Sequence, residues 1–325
     1  MAKRWDLLLL LLLATNTIVL DVAEAALPAV FILGDSTADV GTNSFLASSK
    51  ARADFPFNGI DFPSSMRTGR FSNGFNSADF IAKLMGYEKS PPPFLSLNTS
   101  SSLKLQSLRV RSSLIATMGP LATQKFLSKS LFFISTGSND LFGYYHSNSS
   151  LSKQDFMATL GFAYETHLKA LLNLGARKFG IISVAPVGCC PSQRIYNATG
   201  GCLEELNDHA RAFHAMLASL LLKLSSQYEG MKYSLGNAYK MTINVVENPL
   251  LFNFTEVETA CCGAGKFNGE SFCEPKANLC LNREEYLFWD LFHPTQAASK
   301  LAALTLFGGP PRFVAPINFS QLAIA

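Results

Sequence analysis

Short apolar runs alternate with longer amphipathic stretches along most of this chain. Residues 29–33 read Ala-Val-Phe-Ile-Leu and residues 131–135 read Leu-Phe-Phe-Ile-Ser; residues 179–184 repeat the pattern, and residues 232–235 give a weaker fourth copy. Unbroken apolar runs, as opposed to alternating ones, suit strands buried on both faces, the condition of a parallel sheet. Between them, residues 77–85, 154–174, 204–226 and 295–307 carry apolar positions at helical spacing. Strands alternating with helices predict a three-layer α/β/α sandwich around a parallel sheet. No internal repeat and no linker interrupts it, so residues 26–325 are expected to form a single domain.

Such sheets take their ligands outside the carboxyl ends of the strands. The first run delivers Gly34-Asp35-Ser36 to that rim, and the second delivers Gly137-Ser138-Asn139-Asp140. Far along the chain stands Trp289-Asp290-Leu291-Phe292-His293-Pro294. A serine hydroxyl is a weak nucleophile and needs a base within hydrogen-bond reach. His293 is the best of the five histidines for that task, because Asp290 can fold back onto its imidazole and stabilise the protonated form. The main-chain N–H of Ser36 and the side-chain amide of Asn139 suit the oxyanion of acyl transfer. Asn139 also fits a helix-capping role. Ser36, Asp290 and His293 are therefore the expected triad. His209 and His214 lie five apart on a predicted helix, off the spacing of a metal pair, and His146 and His167 carry no motif.

These motifs resemble the first, third and fifth blocks of the GDSL esterase/lipases, the SGNH hydrolases. Finer matches are similar to the plant secreted branch: Asp39-Val40-Gly41-Thr42-Asn43, Gly59-Ile60-Asp61-Phe62-Pro63, Thr68-Gly69-Arg70-Phe71-Ser72-Asn73-Gly74, Ala185-Pro186-Val187-Gly188-Cys189 and Ala260-Cys261-Cys262-Gly263. The resemblance covers residues 28–96 and 125–312. It implies the flavodoxin-like SGNH version of the sandwich and a carboxylic ester hydrolase acting on an ester or lipid, with no metal or cofactor. The segment Arg70 to Gly74 either lines the rim or fixes loops.

Residues 91–123 depart from the pattern. Pro91-Pro92-Pro93 opens a Ser-rich, partly basic stretch with little periodicity. The family's second block, a strand ending in a turn whose glycine N–H lines the oxyanion hole, has no counterpart; the only glycine between 87 and 136 is Gly119. The missing strand would be an edge strand. Its loss is expected to spare the core and weaken catalysis, since one oxyanion donor is worth roughly 10²–10³ in turnover.

Composition narrows the setting. Only 16% of the 325 residues are charged and the net charge is +3, with basic residues scattered, so nucleic-acid binding has little support. Residues 1–25 read as a secretory signal: Lys3 and Arg4, then Leu7 to Leu13, then Ala23-Glu24-Ala25; a retained signal anchor is the alternative. No later segment is apolar for long enough to span a bilayer, so the mature chain is expected to lack a transmembrane segment. The sequons at Asn98, Asn148, Asn197, Asn253 and Asn318 agree with an extracellular glycoprotein, and the family resemblance implies the cell wall or apoplast as its place. Seven cysteines fall between 189 and 280. Cys261, Cys262, Cys273 and Cys280 favour two disulfides over a zinc site, and Cys202 is expected to pair with Cys189 or Cys190, leaving one thiol odd.

The reading is a secreted serine esterase/lipase. A non-catalytic glycoprotein that binds lipid or wall polymer, and an acyltransferase using the same triad, are the rivals.

Overall fold

The computed structural model describes residues 27–97, 106–147 and 149–325. Its centre is a five-stranded sheet in the order β1-β2-β3-β4-β7. The strands are β1 (Val30–Gly34), β2 (Leu131–Ser135), β3 (Lys178–Ile182), β4 (Lys232–Gly236) and β7 (Val314–Pro316). A two-stranded ribbon, β5 (Cys262–Gly263) and β6 (Asn278–Leu279), stands apart. The helices are α1 (Ser77–Leu84), α2 (Gln106–Met118), α3 (Pro120–Lys129), α4 (Ser138–His146), α5 (Lys153–Leu174), α6 (Pro191–Arg194), α7 (Glu204–Gln227), α8 (Ala238–Glu247), α9 (Gln296–Gly308) and α10 (Phe319–Ile324).

The first four strands run parallel, in register from Val30↔Leu131 through Lys178↔Lys232. Successive side chains of β2 feed opposite layers. Phe132 and Ile134 join Leu168 and Leu172 of α5 with Phe213, Leu217 and Leu221 of α7. Phe133 faces the other way, onto Ile81 of α1, Leu306 of α9 and Phe319 of α10. Burial on both faces is why the run carries no polar alternation.

Two elements differ from the expectation. β7 pairs antiparallel with β4, so the sheet is mixed at one edge; its Val-Ala-Pro sequence is too short to signal a strand, and proline is tolerated only at such edges. The described part of the 91–123 stretch is largely helical, forming α2 and the first turn of α3 with Gly119 at φ +82° between them. Few of its side chains are buried, Thr123 and Leu127 being those of α3. That explains the weak periodicity, since a helix with little to bury carries no apolar stripe. Among the described residues β1 pairs only with β2. Leu131 N–H donates to Ala29 O and Asp35 N–H to Ser135 O, so the odd-numbered residues face β2. The main-chain groups of Val30, Ile32 and Gly34 therefore face outward.

Candidate active site

β1 ends in a turn that is tied down before it reaches Ser36. Asp35 N–H donates to Ser135 O of β2 at 2.9 Å, and Ala38 N–H returns to Asp35 O at 3.1 Å. The Asp35 carboxylate accepts from Thr37 N–H and Thr37 Oγ1 at 3.0 and 2.7 Å, so it shapes the turn. A Cβ at Gly34 would stand 2.5 Å from that of Ala38 and 3.0 Å from Ser135 O. Only glycine fits where turn and sheet approach this closely.

The residues from 289 to 295 form a second turn against the first. Asp290 Oδ1 accepts from Phe292 N–H at 2.9 Å and His293 N–H at 2.8 Å. The Nδ1 of His293 lies 2.8 and 2.9 Å from the two oxygens of the same carboxylate. Trp289 N–H donates to His293 O at 2.7 Å, and Thr295 caps α9 by accepting from Ala298 N–H. Asp290 and His293 are 3% and 5% exposed, so the pair is shielded from competing water. On its other side His293 Nε2 lies 2.7 Å from Ser36 Oγ. With Nδ1–H donating to Asp290, Nε2 is left to accept the serine proton. The structure thus brings Ser36, His293 and Asp290 into one hydrogen-bonded chain.

A cavity of about 1230 Å³ opens onto this chain and is lined mainly by apolar side chains, Phe31, Leu33, Phe252 and Phe288 among them. Ser36, Asn139 and His293 all line it. Asn139 is the second residue of α4 and is exposed; Gly137 is the N-cap, at φ +125° under Phe213. The capping alternative for Asn139 is therefore not realised. Among the described residues Ser36 N–H has no internal partner, which leaves it free to donate.

Arg70 to Asn73 fix the neighbouring loops. The Arg70 guanidinium forks onto Asp79 at 2.8 Å twice and donates to Val40 O at 3.1 Å, with both partners buried. Phe71 lays its ring 4.8 Å from that of His293, at 31°. Nothing in the spacing of the sequence foretold this contact; a large apolar residue among small polar ones was the only sign.

Three of the other four histidines have structural partners. His146 Nε2 lies 2.9 Å from Gln193 Oε1, and His209 Nδ1 lies 2.7 Å from Glu205 O. His214 Nδ1 lies 3.1 Å from Ser183 Oγ, and burial holds its imidazole below the ordinary range. His167 is exposed. Three disulfides, Cys189–Cys202, Cys261–Cys280 and Cys262–Cys273, leave Cys190 as the odd thiol. The four cysteines of the zinc alternative are thus consumed in pairs. The Asn253 sequon is exposed, while Asn197 and Asn318 are half-buried; Asn98 and Asn148 lie outside the described residues, as does the leader at 1–25.

The family model of the GDSL-like lipase/acylhydrolases matches residues 30–306. The chain belongs to the GDSL family. Two GDSL esterase/lipases of Arabidopsis thaliana are each 34% identical to it, over 92% and 93% of this chain and 90% of each relative. A third from the same plant is 30% identical over 93% of this chain and 92% of its own length. The GDSL chain is accordingly a carboxylic ester hydrolase, and an ester or lipid fits the apolar cavity beside Ser36. Among the described residues no helix is long and apolar enough to cross a membrane.

Proposed function

We propose that this protein is a secreted serine esterase/lipase in which Ser36, His293 and Asp290 act as the triad. The observation that carries the reading is the continuous contact Ser36 Oγ–His293 Nε2 at 2.7 Å and His293 Nδ1–Asp290 at 2.8 Å. Ser36 Oγ attacks the acyl carbon while its proton passes to Nε2. The new imidazolium is stabilised by Asp290 and returns the proton to the departing alcohol. Water then repeats the sequence on the acyl-serine and releases the acid. The tetrahedral oxyanion is received by Ser36 N–H and the side-chain amide of Asn139. The glycine N–H that the family adds from its second block is missing here, so turnover is limited at this point.

Residues 1–25 are read as a leader removed on secretion, leaving 26–325 as one catalytic unit outside the cell. Disulfides between 189 and 280 suit an oxidising compartment. Asn253 is the exposed glycan acceptor among the described residues, with Asn98, Asn148, Asn197 and Asn318 as the other sequons.

A fluorophosphonate probe tests the reading. Peptide mapping should place the adduct on Ser36 and find none in Ser36→Ala. An adduct on another serine, or no adduct on the wild type, overturns it.

A further inference from the structure

Two edges of the His293 ring are accounted for, by Asp290 and by Ser36; its faces are not. One face is covered by Phe71, whose ring centroid stands 4.8 Å away with 31° between the planes. Phe292 meets the imidazole only edge-on, at 6.2 Å and 84°. Phe71 is itself buried, and it lines the cavity. Its backbone is held from both directions. Arg70 before it is locked onto Asp79 and Val40. After it, Ser72 O accepts from Gly59 N–H at 2.9 Å and Asn73 O from Asp61 N–H at 2.7 Å. The ring is a fixed wall.

We propose that Phe71 is a positioning residue for His293 whose aromatic face stabilises the imidazolium formed in the transition state. The proposal rests on the triad reading above. When Ser36 gives up its proton, a positive charge develops on a ring that is almost fully shielded from water. Among the described residues the carboxylate bonded to the ring is that of Asp290, and the Ser36 hydroxyl on the other nitrogen carries no charge to help it. The face of an aromatic ring bears partial negative charge and attracts a cation within about 6 Å. Because the imidazole is neutral before proton transfer, this attraction acts on the transition state and barely on the ground state. The same wall opposes ring rotation that would break both nitrogen contacts.

The test uses the full-length secreted protein and a fluorophosphonate, whose reaction forms a Ser36 Oγ–P bond, expels fluoride and transfers the serine proton to His293. Phe71→Leu should lower the maximal inactivation rate by about two- to thirty-fold while half-saturation stays within about twofold. Phe71→Tyr and Phe71→Trp should keep most of the rate. Ring-fluorinated phenylalanines at position 71 keep the shape while draining the π face, so rates should fall stepwise from one to three fluorines, with Tm unchanged. A flat fluorine series on a protein that labels normally at Ser36 overturns the Phe71 assignment alone. Failure of the wild type to label at Ser36 overturns the triad reading and this proposal with it.

Discussion

The main-chain N–H of Gln296 donates to the side-chain carbonyl of Asn73 at 2.8 Å, across 223 residues. The clasp is reciprocal, since Gln296 Oε1 accepts from Phe75 N–H at 2.7 Å. It extends further: Asn73 Nδ2 donates to Asp61 Oδ2 at 2.7 Å, and Arg283 forks onto the same carboxylate at 2.6 and 2.8 Å. The segment that carries Phe71 is thereby bound to the start of the helix that follows the His293 turn. Removing Asn73 should loosen both. Asn73→Ala is expected to cost about 1–3 kcal/mol of stability, because it strands the Gln296 N–H and leaves Asp61 Oδ2 with Arg283 alone as its donor. Urea unfolding reads the first effect, and ester turnover, falling more in kcat than in KM, reads the second.

Asp290 accepts from two main-chain N–H groups as well as from the imidazole, so its mutation separates shape from charge. Asp290→Asn keeps an acceptor for the turn but favours the wrong histidine tautomer. On p-nitrophenyl esters, kcat should drop by about 10⁴-fold with KM little changed. A loss below tenfold would remove Asp290 from the triad.

Arg70 and Asp79 are both almost fully buried. Arg70→Met leaves an uncompensated carboxylate in the interior and should destabilise by about 3–5 kcal/mol. Arg70→Met/Asp79→Asn should recover much of that, because the amide still accepts from Asn76 N–H, the bond that caps α1. Equal losses in the single and double variants would refute the account.

Restoring the family's strand and glycine turn within residues 91–123 should raise kcat by about one to three powers of ten, the worth of one oxyanion donor. The comparison with the unmodified chain decides the point: equal turnover means that Ser36 and Asn139 suffice.

Burial pushes the Cys190 thiol up to about 12. The thiolate is the reactive form, so dithionitrobenzoate should find no fast-reacting thiol in the native protein and one equivalent in denaturant. Linkage adds a second reading. Above about pH 9 the unfolded thiol ionises while the folded one keeps its proton, so folding stability contributed by this group falls as pH rises from about 9 toward 12. Cys190→Ala should flatten that part of the stability profile.

The strands and the long helices were legible because burial on both faces leaves no choice of residue: Phe132 and Phe133 point to opposite layers, and both must be apolar. Gly34, Ser36, Asp290 and His293 were legible because tight turns and proton transfer admit few residue types. β7 was not, since three residues bonded at an edge need no pattern. Helices α2 and α3 were not, since few of their described side chains are buried. The disulfide partners were not either: Cys261 and Cys262 are neighbours, and only the course of the chain back through β6 sends Cys261 to Cys280 and Cys262 to Cys273. The clasp between Asn73 and Gln296 carries no sequence signal, being a contact between two loops remote in the chain.

The outward side of β1 bears on how the protein behaves in a crowd. Val30, Ile32 and Gly34 present main-chain donors and acceptors with no strand opposite them among the described residues, between side chains as sticky as Phe31 and Leu33. Soluble sheets commonly guard such a margin with lysine, proline or a bulge, and β1 has none of these. Self-association should therefore begin here, and it should respond to protein concentration more steeply than to temperature. A lysine in place of the exposed Leu33 would act as a gatekeeper, adding charge at the margin where a second chain would pair.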